Sequence, residues 1–239
     1  MGLLELRHVC KRRTHGGRTV TVLEDASLSV DPGELVAVWG LRGSGRTTLL
    51  RLAAGIDVPD SGAVFFDGRD LAAHGEEMLG RGIGYCQKSF RTAAPDRDAI
   101  EEVIVGLLVN GVSPGAARAR ARDAVERVGG ERLARRSMRE LDSAERIRLA
   151  IAHALALGPR LLLIDEPVAG VDLHQRDDVL LLARSLADEG VAVVMTVGEL
   201  TGLSGADQSL TIGDGELRGS RKRALAPVAD LGLRRRASG

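Results

Sequence analysis

Gly40-Leu41-Arg42-Gly43-Ser44-Gly45-Arg46-Thr47-Thr48 has the residue types and spacing of a loop that wraps phosphate. Glycines at 40, 43 and 45 let backbone N–H groups turn inward on an anion, and the helix that follows adds positive potential at its start. Ser44 adds a hydroxyl, and Thr47, with Thr48 beside it, can place another on a Mg²⁺ ion carried by the phosphates. One position departs from the pattern. Arg46 stands where such loops usually carry lysine, exchanging a compact ammonium for a wide planar fork in a cramped loop. Far along the chain, Ile164-Asp165-Glu166-Pro167 closes an apolar run with two adjacent carboxylates. The aspartate can complete a Mg²⁺ shell, usually through water, and the glutamate can polarise an attacking water as a general base. Together these residues predict a site for a Mg²⁺-bound nucleotide and leave its hydrolysis open.

Groups of this kind work only when rigid elements hold them. Leu35-Val36-Ala37-Val38-Trp39 reads as a buried strand entering the loop, and Thr48–Ala54 as the helix leaving it. Upstream, residues 3–9 and 20–30 read as strands, followed by a turn at Asp31-Pro32-Gly33-Glu34. Downstream, the turn at Pro59-Asp60-Ser61-Gly62 leads into Ala63–Phe66 and the hairpin signal Asp67-Gly68, and Ile83–Gln87 is a short apolar strand ending in a polar group. From about residue 92 the pattern is helical. Ser113 and Pro114 suit a helix start, Ala117, Ala121, Ala124, Val125 and Val128 make one face, and Gly129 is a stop. A further helix is expected over 139–158 and another over 177–189, flanked by the apolar strands Leu161–Ile164 and Val191–Thr196, a pattern expected of parallel strands covered on both faces. The expected organisation is an α/β core with a β subdomain from 1–90 and 159–217, a helical subdomain from 91–158, and a basic, irregular tail from 218–239.

Lysine plus arginine and aspartate plus glutamate balance at 33 each, so no global field draws the chain to nucleic acid. No aromatic–basic interleaving suggests nucleic acid either. Arginine dominates the cations, with Lys11, Lys88 and Lys222 the only lysines. Cys10 and Cys86 lack metal or disulfide spacing and read as free thiols. No stretch reaches the roughly 18 apolar residues a membrane span needs, and the N-terminus lacks a secretory pattern. Work on a membrane would go through a partner.

The ordered set of segments resembles the ATP-binding subunits of ABC transporters over nearly all of residues 3–217. The resemblance rests on Ser27–Gly33 leading into the loop, on Ile56–Gly62 and Ile83–Gln87, and most strongly on Arg148–Leu155 running into Leu161–Pro167 with Gly170-Val171-Asp172 after it. It leans toward the subgroup that serves lipoprotein-release, macrolide-export and cell-division permeases. It implies an α/β P-loop NTPase fold of the ABC ATPase type: a parallel-sheet core, an N-terminal antiparallel β subdomain and a helical insertion. It also implies ATP and Mg²⁺ as cofactors, with Gly40, Gly43, Ser44, Gly45, Arg46, Thr47 and Thr48 around the phosphates. Thr47, Gln87 and Asp165 would surround Mg²⁺, Glu166 would be the base, and Asp172 would sit at a seam between two subunits. The implied partners are a multi-span permease and a second ATP-binding subunit, identical or different, with the chain cytoplasmic and peripheral on the inner face of the plasma membrane. Gln87 and Ser89–Pro95 would face the permease.

Four departures from the family's motifs bear on activity. Arg46 is the first. The signature Leu-Ser-Gly-Gly-Gln aligns with Leu141-Asp142-Ser143-Ala144-Glu145, which puts a carboxylate where a serine would meet the partner's γ-phosphate. At ~5 Å and an effective dielectric near 20, such a like-charge pair costs roughly 3 kcal/mol, on the order of a hundredfold in affinity. The alternative is that these acidic residues serve their own helix start and touch no nucleotide. Gly198 aligns with the switch histidine and cannot hold a water, and Arg13 aligns near the aromatic that stacks on adenine, a role an arginine can still fill. The expectation is a nucleotide-binding subunit poor in hydrolysis, with two alternatives: an active ATPase that tolerates Arg46, and a non-enzymatic scaffold.

Overall fold

The computed structural model describes residues 2–88 and 94–221. Most of Ser89–Pro95, expected to meet a permease, and the chain beyond Arg221 lie outside the described residues.

Two long strands, β1 (Leu4–His15) and β2 (Arg18–Val30), form an antiparallel hairpin closed by Gly16-Gly17, both at positive φ as a two-residue turn of this hand requires. Both run further toward the turn than the expected 3–9 and 20–30, because bulges near Val9 and Lys11 break the alternation that marks a strand in sequence. β3 (Leu35–Gly40) then carries the chain into the loop, and α1 (Arg46–Ala53) leaves it. β4 (Ser61–Phe66) pairs with β1 and turns through Asp67-Gly68, again at positive φ, into the two-residue β5 (Arg69–Asp70) and α2 (Leu71–Met78). β6 (Ile83–Cys86) follows.

The insertion consists of α3 (Ala99–Val109), α4 (Pro114–Arg127) and α5 (Ser143–Leu155). The expected face of α4 is buried, from Ala117 to Val128. Ser113 stands at the helix start with Pro114 in the first turn, but its hydroxyl makes no cap bond. α5 is shorter at both ends than 139–158, because Asp142 and Glu145 form a capping box that fixes its start. The chain returns through β7 (Leu161–Ile164), α6 (Leu173–Asp188), β8 (Ala192–Val197), a single 3-10 turn at Leu200–Leu203, β9 (Gln208–Gly213) and β10 (Glu216–Arg221). α6 begins at Leu173 and not at 177 because Asp172 caps it, accepting from the N–H of His174 at 3.0 Å. The expected tail boundary at 218 also shifts. Asp214-Gly215, both at positive φ, turn β9 back on β10, so basic residues through Arg221 belong to a paired strand.

Two sheets result: β2-β1-β4-β5, antiparallel, and β10-β9-β3-β8-β7-β6, in which only β10 runs antiparallel to its neighbour. Alternate residues of the central strands feed two cores. Ala37, Leu162, Ile164, Val193 and Met195 join the cluster formed with α3 to α6. Val36, Val38, Leu161, Leu163 and Val194 pack with α1 and the antiparallel sheet. Cys86, in the first cluster, is buried and its thiol is pushed up to about 12 by that burial, so it stays protonated.

Within the insertion, His153 of α5 is packed against the backbone of α3 so closely that a Cβ on Gly106 would lie 2.1 Å from its Nε2. Burial holds this imidazole below its ordinary value, with Glu102 acting in the opposite sense. Between that lowered value and the unfolded value of about 6.5, the unfolded chain binds a proton that the folded chain refuses. Stability therefore falls as pH drops below about 6.5 and levels off once the folded form is protonated too. Urea unfolding followed between about pH 7.5 and 5.5 should show this slope, and His153→Gln should flatten it.

Candidate functional site

β3, β7 and β8 lie side by side in the sheet, with β8 in the middle. Being parallel, they end at the same edge, and this is why residues far apart in sequence meet there. The end of β3 delivers the loop, that of β7 the two carboxylates, and that of β8 the run Thr196-Val197-Gly198.

The loop is built around close backbone approach. Gly43 and Gly45 sit at φ 85° and 106°, where side-chain-bearing residues are strained. A Cβ on Gly40 would lie 2.4 Å from Ser44 Oγ and 2.7 Å from the carbonyl oxygen of Ile212. Gly45 begins α1 without a side-chain cap, so the first N–H groups of that helix have no side-chain acceptor of their own. Ser44 Oγ and Arg46 Nη1 are buried without a hydrogen-bond partner, the two such side-chain atoms among the described residues. Buried polar atoms are rarely left unpaired, and two in one loop mark a place built for an acceptor-rich ligand.

Asp165 is the hub. Its side chain is buried, Oδ2 accepts from Thr47 Oγ1 at 2.8 Å, and Oδ1 accepts from Thr196 Oγ1 at 2.7 Å. Its N–H donates to the carbonyl of Cys86 at 2.9 Å, so exposed Gln87 leaves the sheet beside it. Thr47, Asp165 and Gln87 thus gather at one edge. Burial first, and then Asp165, pushes the nearby Tyr85 phenol up to about 12.

Glu166 adopts φ 50°, an uncommon conformation outside glycine, and its N–H donates to Thr196 Oγ1 at 3.0 Å. Oε1 accepts from Arg46 Nη2 at 2.5 Å, and Oε2 pairs with the ammonium of Lys88. Arg46 is 7 % exposed and Glu166 14 %, so this ion pair is largely withdrawn from solvent. Both oxygens of the would-be base are therefore held by cations.

Arg13 is turned elsewhere. Its Nη2 donates to Asp57 Oδ2 at 2.7 Å, and Arg51 grips the same carboxylate through Nε at 2.9 Å and Nη2 at 2.8 Å. The bonds from Arg51, opposed by burial and aided by Arg13, hold the Asp57 carboxyl below its usual range. Across the molecule, the aligned signature segment is satisfied internally. Asp142 Oδ1 accepts from the N–H of Glu145 at 2.8 Å, and Glu145 Oε2 accepts from that of Asp142 at 2.9 Å. Gln175 donates to Asp142 Oδ2 at 3.2 Å, and Arg136 pairs with Glu145. Burial works against the charged form of Asp142, but the N–H of Glu145, the Gln175 amide and the N–H of Ala144 outweigh it and keep its carboxyl below the usual range. These acidic residues serve their own helix start.

Thr196 and Lys88 are site residues that the sequence reading passed over. A threonine in the otherwise apolar run Val191–Val197 was the available signal for the first. For the second it was the scarcity of lysine.

A sequence profile of the family described as ABC transporter matches residues 23–169. The chain belongs to that family. Its fold is similar to that of the ATP-binding cassette MJ0796 in a dimeric post-hydrolysis state bound to ADP and Pi, with 25% identity, a TM-score of 0.81, and coverage of 92% of this chain and 99% of that one. A second dimeric structure of MJ0796, a bacterial ABC transporter cassette, matches at 26% identity and TM-score 0.81, over 92% and 99% of the two chains. The fold is also that of cbiO1 from Clostridium perfringens, part of the ABC transporter complex cbiONQ, at 22% identity and TM-score 0.79 over 91% and 87%.

Thr196→Val keeps the shape and removes the hydroxyl, leaving Asp165 Oδ1 without its donor and the N–H of Glu166 without its acceptor. It should cost about 1–3 kcal/mol, read as a lower urea midpoint at unchanged slope, and Thr196→Ser should recover part of it. Asp142→Ala should cost about 1 kcal/mol through loss of the α5 cap, whether or not nucleotide is present.

Proposed function

We propose that this chain is the ATP-binding subunit of an ABC transporter complex that binds Mg-ATP and hydrolyses it poorly. The carrying observation is the contrast inside one site. The loop keeps two buried, unpartnered polar atoms facing no acceptor, while the candidate base has both oxygens engaged by Arg46 and Lys88. The first supports anion binding. The second means that an attacking water must share the Glu166 carboxylate with two cations, which supports slow hydrolysis.

Among the described residues, no group of three or more His, Cys, Asp and Glu could hold a metal alone. Mg²⁺ would be held by Thr47, Asp165 and Gln87 jointly with phosphate oxygens, the usual arrangement for this ion. When bound, it would supply charge neutralisation on the phosphates. Ser44, Arg46 and the N–H groups of α1 would bind the phosphates themselves, and Thr48, buried beneath them, would help fix the helix start. Arg13 would stack on adenine only after leaving Asp57.

Pairing with a second ATP-binding subunit is supported by the dimeric state of the MJ0796 structures, and pairing with a membrane partner by the membership of cbiO1 in a transporter complex. No helix of the described residues is long and apolar enough to cross a membrane, so the membrane part would come from a separate permease, with this chain docked on its cytoplasmic side. The subgroup serving lipoprotein-release, macrolide-export and cell-division permeases remains the one favoured by the motif order.

The deciding experiment measures Mg-ATP affinity and phosphate release for the native chain and for Glu166→Gln. Expected are binding in the millimolar range or tighter and turnover at least tenfold below the ~1 s⁻¹ low end of ordinary enzymes. Brisk release abolished by Glu166→Gln would make the chain an ordinary ATPase. Tight binding without turnover in either protein would favour a scaffold, and no binding at millimolar ATP would remove the nucleotide reading.

A further inference from the structure

Two of the departures from the family pattern, Arg46 and Gly198, touch. A Cβ built on Gly198 would have one heavy atom within 4 Å, Arg46 Nη1 at 3.4 Å. We propose that these two positions are one adaptation and not two losses: with no side chain reaching into the site from 198, the Arg46 guanidinium takes that room, and from there Arg46 clamps Glu166 in the empty protein and offers its free amino group to nucleotide phosphate. The second half rests on the nucleotide reading above; the first does not.

The steric part follows from the shape of the two cations. A guanidinium is a flat fork with two terminal nitrogens, wider than the single ammonium of lysine. Here one nitrogen, Nη2, reaches Glu166 Oε1 at 2.5 Å. The other must then project sideways, and it projects over Gly198. A separation of 3.4 Å is ordinary contact for a methyl group, so alanine fits at 198. Gly198 is itself exposed, so a longer side chain such as imidazole has other directions open, but one that reaches toward Glu166 competes with the guanidinium for the same volume.

The chemical part follows from what each nitrogen touches. Nη2 has a carboxylate, whereas Nη1 is buried and has no partner. The side chain is 7 % exposed, so water does not readily satisfy that atom. A donor held dry and unpaired, in a loop with Gly43 and Gly45 at positive φ, is poised for an oxyanion. A phosphate oxygen that pairs with Nη1 also competes for the guanidinium charge that Glu166 now neutralises. Lys88, on the other oxygen of Glu166 and 54 % exposed, remains to orient the carboxylate when Arg46 shares itself. Arg46 is thus a phosphate-binding residue and a positioning residue for Glu166 at once, and Gly198 is the position that makes both possible.

The test is a double-mutant cycle of Arg46→Lys and Gly198→His with Gly198→Ala as a steric control, read by thermal melting without nucleotide and by Mg-ATP affinity. Gly198→His alone should lower the melting temperature by more than about 2 °C, and Gly198→Ala should stay within about 2 °C of native. Arg46→Lys alone should weaken Mg-ATP binding roughly ten- to a hundredfold. The double variant should melt at least about 2 °C above the value expected from adding the single losses, and should bind Mg-ATP better than either single variant. Additive losses, or histidine tolerated at 198 as well as alanine, would overturn the proposal. If Gly198→His alone does not fold, rescue of folding by Arg46→Lys in the same chain carries the proposal, and failure of that rescue overturns it. A native chain that binds no ATP would remove the nucleotide reading and the phosphate half, while the melting cycle would still decide the steric half.

Discussion

A single buried carboxylate fastens the working edge of this protein. Asp165 takes the hydroxyl of Thr47 on one oxygen and that of Thr196 on the other. Its own N–H is tied to the end of the neighbouring strand at Cys86. The ends of three strands and the first turn of α1 are thereby joined by hydrogen bonds in addition to the sheet ladder. A buried carboxylate needs hydrogen-bond donors, and here two hydroxyls supply one to each oxygen. The loop, the two carboxylates and the Thr196–Gly198 run can then act as one surface.

Around that hub, positive charge is distributed in an unusual way for a phosphate site. The loop cation is an arginine and the nearby lysine stands on another strand end, yet both converge on Glu166. A buried ion pair of this kind is costly to break from one side, about 3–5 kcal/mol where it has been measured in other proteins. It therefore restrains the candidate base more firmly than a surface pair would. The positive φ of Glu166 belongs to the same arrangement, since backbone strain persists only where the surroundings over-determine it. Here Thr196 and two cations do so.

The acidic segment at the start of α5 follows a different logic. In sequence, Asp142 and Glu145 look like negative charges aimed at a partner's nucleotide. In the fold they answer each other's backbone N–H groups and are joined by Gln175 and Arg136. A helix start closed by its own side chains has little left to offer an external anion. Asp142 and Glu145 thus make a stabilised helix terminus.

Much of this was legible along the chain. The phosphate loop, the Asp165-Glu166 pair, the apolar parallel strands and the helical insertion all follow from consecutive residues whose chemistry acts over one or two turns, so pattern and position suffice. Helix starts at Ser143 and Leu173 and the β9–β10 hairpin are set by single caps and an Asp-Gly turn, which hydrophobic periodicity does not mark. The meeting of Arg46 with Glu166, Lys88 and Gly198, and of Asp165 with Thr196, lay beyond any such reading. These contacts join residues from separate strands, and nothing in the spacing of 46, 88, 166 and 198 says which side chains will share a volume. That is settled by the order β3-β8-β7-β6 at the sheet's edge and by the packing beneath it, because charge pairing and steric exclusion act through space and take no account of distance along the chain.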